Sequence, residues 1–134
     1  MAEKLTILVA DDDPDILDSL TMILEASGYL VITARDGEEA LTKVKAARPN
    51  LLILDLLMPR KDGFAVLKDL QLDEKWVIYR QKMSVIVLTS VREEVARRRY
   101  YLETAMVELG ADDYLEKPVS PENLLEAIGR YLRF

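Results

Sequence analysis

The stretch 7-ILVADDDPDI-16 runs four apolar residues directly into three aspartates and a proline. A strand of that composition has no face suited to water, so it belongs inside a sheet covered on both sides. The carboxylates at its end repel one another unless a cation or a hydrogen-bond donor sits among them. The stretch therefore sets two expectations: a buried strand, and a site at its carboxyl end that needs a positive partner.

Similar runs recur outward along the chain. Leu5 to Ala10, 30-LVITA-34, 51-LLILD-55 and 84-SVIVLT-89 are all strand-length and too apolar to have a solvent face, and 113-DYLEK-117 is a shorter, weaker fifth. Between them apolar residues return at spacings of three and four: Ile16, Leu17, Leu20, Ile23 and Leu24; Ala40, Leu41, Val44 and Ala47; Phe64, Val66, Leu67 and Leu70. Those spacings read as helices with one buried face. A long amphipathic stretch from about Val91 to Leu109 stops at Gly110, suited to the position after a helix, and a last helix begins with Ser120 as N-cap and Pro121 in its first turn. The alternation implies an α/β fold, a doubly wound five-stranded parallel sheet with helices on both faces and right-handed crossovers. In such sheets ligands bind beyond the carboxyl ends of the strands, where strand order reverses.

Composition bounds the chemistry. The 134 residues suit a single domain, 1–134, with one core. No apolar run approaches the length of a membrane span, and "MAEKLT" leads straight into a strand, so a soluble, cytoplasmic protein without membrane contact is expected. The chain has neither cysteine nor histidine, so any metal must be held by oxygen. A formal net charge of −6 argues against direct nucleic-acid binding by the domain as a whole, although it leaves room for a local basic patch.

The strand ends carry the polar residues of interest. Strand one ends in Asp11 and Asp12, strand three in Asp55, strand four in Thr89, and strand five in Lys117 followed by Pro118. Three carboxylates, a hydroxyl and an ammonium suit a hard divalent cation and a phosphoryl group. Each has a plainer reading as well. Asp13, before Pro14, reads as a helix N-cap rather than a ligand. Thr89 alone is what β propensity favours, Lys117 alone could be a surface lysine, and Tyr114 could simply fill the core.

"ILVADDDP", "LLILDLLMPRKDGF", "VIVLTS" and "GADDYLEKP", in that order and at those strand ends, resemble the receiver domain of two-component response regulators, over essentially the whole chain. The resemblance implies a flavodoxin-like receiver fold with Asp55 as phosphoacceptor. It implies Mg²⁺ held by Asp12, Asp55, the backbone carbonyl of Leu57 and waters, with Asp11 reaching it through water. It makes a phosphohistidine on a sensor histidine kinase or a histidine phosphotransfer protein the donor. Lys117 and Thr89 are then catalytic groups that meet the phosphoryl oxygens. Thr89 and Tyr114 form a switch acting on the surface of the fourth helix, fifth strand and fifth helix, and the Lys117–Pro118 bond is cis. Leu57 and Val91 occupy the positions that orient or exclude the hydrolytic water. Neither can hydrogen-bond it, so a slowly dephosphorylated acceptor rather than an enzyme is expected.

Departures from the family pattern concern output. No residues remain after the fifth helix for an output domain, which leaves a single-domain regulator or the receiver of a longer protein. The segment from Thr89 to Lys117 is longer than the pattern by roughly one to two helical turns, giving an extended fourth helix, and "LDEKWVIYRQKM" before strand four is enlarged too. Arg97, Arg98 and Arg99 are either a solvated face paired with Glu93 and Glu94 or a patch for a second copy or a downstream protein. One rival reading is a non-phosphorylated, receiver-like protein-binding module, whose acidic cluster would be incomplete. Another is an aspartyl phosphohydrolase, which wants an acid at the position that Leu57 holds.

Overall fold

The computed structural model describes residues 4–90 and 110–132. Their element order is β1 (Thr6–Ala10), α1 (Pro14–Ala26), β2 (Leu30–Ala34), α2 (Gly37–Ala47), β3 (Leu51–Asp55), α3 (Gly63–Leu72), α4 (Glu74–Arg80), β4 (Ser84–Ser90), β5 (Asp113–Lys117) and α5 (Pro121–Tyr131). The helices begin where short polar side chains can satisfy free backbone N–H groups. Asp13 accepts from Asp15 N, Asp36 from Glu39 N, Asp62 from Ala65 N and Ser120 from Asn123 N. Pro14 and Pro121 occupy first-turn positions where no N–H is missed.

All strand pairs are parallel, in the order β2-β1-β3-β4-β5. Alternating residues of each inner strand feed two apolar layers. Ile7, Val9, Ile53, Ile86 and Leu88 pack with Leu17, Leu20 and Leu24 of α1 and with Leu124 and Ile128 of α5. Leu8, Ala10, Leu52, Leu54, Val85 and Val87 pack with Leu41 and Val44 of α2 and with Val66, Leu67 and Leu70 of α3. The central strand β3 is buried along its whole length, as its unbroken apolar run requires. Strand order reverses between β1 and β3, so the carboxyl ends of those two strands flank the crevice.

The expected doubly wound sheet is observed, and the enlarged stretch before β4 proves to contain the additional helix α4. Asp73 caps it by accepting from Lys75 N, and Trp76 and Tyr79 lean on the core. The long helix expected between β4 and β5, with Val91 and Arg97 to Arg99, lies outside the described residues. No helix among the described residues is long and apolar enough to cross a membrane.

Candidate functional site

The strand ends bring four of the expected side chains together. Asp11 follows β1 and is fully buried; its backbone N–H donates to Ala34 O at 3.0 Å, and its Oδ1 accepts from Asp13 N at 3.0 Å. Asp12, next in the chain, faces solvent. Asp55 closes β3, and its Oδ1 accepts from Leu57 N at 3.3 Å. Lys117, the last residue of β5, places Nζ 2.7 Å from Asp11 Oδ2 and 3.4 Å from Asp55 Oδ2. One ammonium thus bridges two buried carboxylates.

That bridge does not satisfy the site. The contact to Asp11 Oδ2 is one of charge rather than an aligned hydrogen bond, and this buried oxygen has no hydrogen-bonded donor among the described residues. Burial and the neighbouring Asp11 charge push the Asp55 carboxyl up to about 6, against the opposing pull of Lys117 and the Leu57 N–H. For Lys117, burial favours the neutral form, but Asp11 and Asp55 outweigh burial and raise its pKa, which keeps it charged. Among the described residues the cluster is therefore short of positive charge.

Asp11, Asp12 and Asp55 can each offer one carboxylate oxygen such that all three oxygens lie within 4.8 Å of one another. An all-oxygen set with an unsatisfied buried oxygen fits a hard divalent cation such as Mg²⁺. Fit is thus carried by the donors as well as by the charge deficit.

Thr89 is 7% exposed near the end of β4, in register with Glu116 on β5. Tyr114 on β5 sits opposite Val87 and is half-buried against the core layer on the α2–α3 side of the sheet. Leu57 is 68% exposed, so its side chain stands in solvent just beyond the acceptor. The Lys117–Pro118 bond is cis. Val91 falls outside the described residues.

One contributor had no role assigned from the sequence. A Cβ on Gly63 would lie 2.3 Å from the Asp55 carbonyl oxygen, and the Gly63 N–H donates to Leu56 O at 3.0 Å. Only glycine lets α3 start this close to the acceptor strand. The signal was present in "KDGF", where an N-cap aspartate precedes a glycine.

The response regulator receiver domain family model matches residues 7–129. The alkaline phosphatase synthesis transcriptional regulatory protein PhoP of Bacillus subtilis is 40% identical over 129 residues, 95% of this chain and 48% of that protein. Response regulator MprA of Mycobacterium ulcerans is 39% identical over 127 residues, 95% of this chain and 50% of its own length. The chain spans about half the length of these curated relatives. Among solved structures, chemotaxis response regulator CheY4 of Vibrio cholerae superposes with a TM-score of 0.80 at 28% identity, covering 97% of this chain and 100% of that one. A receiver domain protein of Methanospirillum hungatei gives 0.80 at 33% identity, with 96% and 93% covered. An acidic crevice at the β1–β3 switch point, a lysine bridging it from β5, and these matches together place the chain in the response regulator receiver domain family, the phosphoacceptor domains of two-component signalling.

Proposed function

We propose that Asp55 accepts a phosphoryl group from a phosphohistidine in a Mg²⁺-dependent reaction. The observation that carries this reading is the bridge from Lys117 to both Asp11 and Asp55, at a cluster that among the described residues still lacks positive charge. Asp12, Asp55 and the Leu57 carbonyl would hold the ion directly, with Asp11 reaching it through water. Bound there, Mg²⁺ supplies the charge neutralisation that lets a carboxylate approach an anionic phosphoryl group.

The chain's own residues do the rest. An Asp55 carboxylate oxygen attacks phosphorus in line, the P–N bond to the donor imidazole breaks, and the imidazole leaves with the bonding pair. Lys117 then exchanges part of its contact with Asp55 for a phosphoryl oxygen, and the Thr89 hydroxyl donates to another. Inward movement of Thr89 opens space for Tyr114, which biases the surface that includes β5 and α5. A histidine kinase or histidine phosphotransfer protein in the cytoplasm is the proposed donor. Output through a second copy or a downstream protein, by way of the segment between β4 and β5, is proposed on the same footing.

Incubating the protein with acetyl phosphate and Mg²⁺, followed by intact mass, tests the reading without the natural donor. A gain of one phosphoryl that requires the metal and vanishes in Asp55→Asn is expected. Full labelling of Asp55→Asn would overturn the assignment, and a wild-type chain that never gains the mass would favour the non-phosphorylated module.

A further inference from the structure

The loop that leaves the acceptor strand, residues 56–62, carries Leu57 and is held at both ends. Near Asp55 the Gly63 N–H ties back to Leu56 O at 3.0 Å. At the far end the Gly37 N–H, in the first turn of α2, donates to Lys61 O at 2.9 Å. A Cβ on Gly37 would lie 2.2 Å from that same oxygen, so the helix start and the loop are in direct contact.

Between these ties stands an ion pair across 24 residues of sequence: Arg60 NH1 lies 2.5 Å from Asp36 Oδ2. Asp36 is only 5% exposed, and its Oδ1 already caps α2 by accepting from Glu39 N at 2.8 Å. Asparagine would cap equally well. The negative charge is therefore surplus to the cap, and Arg60 uses it.

Arg60 reaches this position with φ at 63°, a left-handed conformation that costs a non-glycine residue about 1–2 kcal/mol. If the loop needed only to turn, glycine at 60 would do so without strain. The Glu39 N–H and then the Arg60 guanidinium overcome burial to hold the Asp36 carboxyl below the usual carboxylate range. Asp36 thus stays ionised for its partner. Behind it α2 is anchored in the core by Ala40, Leu41 and Val44, which makes it a rigid base for the loop.

We infer that Asp36 and Arg60 are positioning residues for the metal and phosphoryl site. With Gly37 they clamp the β3–α3 loop onto α2, and so fix Leu57, whose N–H holds Asp55 Oδ1 and whose carbonyl is a proposed ligand. This inference rests on the Asp55 reading above and adds to it a support outside the acidic cluster. Such supports govern how well ligands are preorganised, and losing one typically weakens metal binding about tenfold or more when it touches a ligand directly. One step further out, the effect is smaller.

The sign of the effect separates positioning from simple charge. Arg60 is a cation on the loop that leaves the acceptor strand, so on Coulomb grounds alone its removal tightens Mg²⁺. As a clamp, its removal loosens Mg²⁺. Calorimetric titration of Mg²⁺ into the wild type, Arg60→Gln, Asp36→Asn and the double variant reads this directly, with thermal melts run alongside. Expected are about three- to tenfold weaker Mg²⁺ binding in Arg60→Gln, a similar loss in Asp36→Asn, and a double variant no weaker than the worse single. The Arg60 side chain is 69% exposed, so melting of Arg60→Gln should stay close to wild type. Equal or tighter Mg²⁺ binding by Arg60→Gln overturns the inference while leaving Asp55 in place. A wild type that binds no Mg²⁺ and gains no phosphoryl instead removes the Asp55 reading and the inference with it.

Discussion

Both ends of the sheet carry carboxylate–cation contacts, yet they do opposite work. At the amino end of β4 and β5, Asp112 Oδ2 accepts from Val85 N at 2.7 Å and from Arg80 NH2 at 3.1 Å. Arg80 also donates to Met83 O at 2.6 Å and to Gly110 O. Nearby, Asp113 accepts from Arg130 and Tyr131, and Asn50 ties Thr6 to Ser84. Each of these charges has aligned partners. At the carboxyl end, among the described residues, three carboxylates face the one ammonium of Lys117, one buried oxygen has no aligned donor, and Asp55 is pushed up to about 6. Charge as such does not mark a functional site in this fold. Charge left deliberately short of partners does.

The largest effect that sharpens this contrast comes from the satisfied end. Arg80→Met should leave Asp112 with Val85 N alone, take a donor from two carbonyls, and cost about 3 kcal/mol in urea unfolding. The acceptor reaction with acetyl phosphate should be untouched. Wild-type stability in that variant would break the comparison, because the amino end would then carry idle charge.

At the carboxyl end the sign reverses. Asp55, at about 6 in the folded chain against its ordinary 3.8, keeps a proton that the unfolded chain has already released. Between those values the folded state binds more protons, so the stability of the metal-free protein falls as pH rises through the window and levels off above it. Asp55→Asn should remove that slope and stabilise the metal-free protein by about 2 kcal/mol at pH 7. Mg²⁺ should stabilise the wild type more above the window than below it, where a proton competes for Asp55. A thermal-melt series across pH 4 to 8, with and without Mg²⁺, reads all three. A destabilised Asp55→Asn would mean that the cluster is as well satisfied as its opposite.

The smallest effect concerns how long the proposed phosphoryl group stays. Leu57 stands exposed beside Asp55 and cannot orient a water, and Val91 has the same limitation. Pulse-labelling followed by donor removal should show slow loss. Replacing Leu57 with Asn and Val91 with Glu should speed it about tenfold, which corresponds to about 1.4 kcal/mol of barrier. Rapid loss that ignores both substitutions would show that these side chains do not border the path of the attacking water.

Much of this molecule is legible in short stretches of the chain. A strand buried on both faces has to be apolar along most of its length, so β1, β3 and β4 declare themselves, and so does the parallel α/β class that such strands require. Asp13, Asp36, Asp62, Ser120 and the two helix-starting prolines mark helix starts through bonds no longer than a turn. Asp11, Asp12, Asp55, Thr89 and Lys117 stand out because polar residues end apolar runs. α4 is different. Trp76, Val77, Ile78 and Tyr79 suit a strand as well as a helix, and the Asp73 cap together with packing on the core decides for helix.

Only tertiary structure could decide the rest. The order β2-β1-β3-β4-β5, the bridge from Lys117 to Asp11 and Asp55, the Arg80–Asp112 contact and the Asp36–Arg60 clamp all join residues far apart in sequence. Periodicity and caps report interactions within a turn or two. Which charges meet, and which are left short of partners, depends on how the crossovers fold back onto the sheet, and that is settled by burial of the whole core at once.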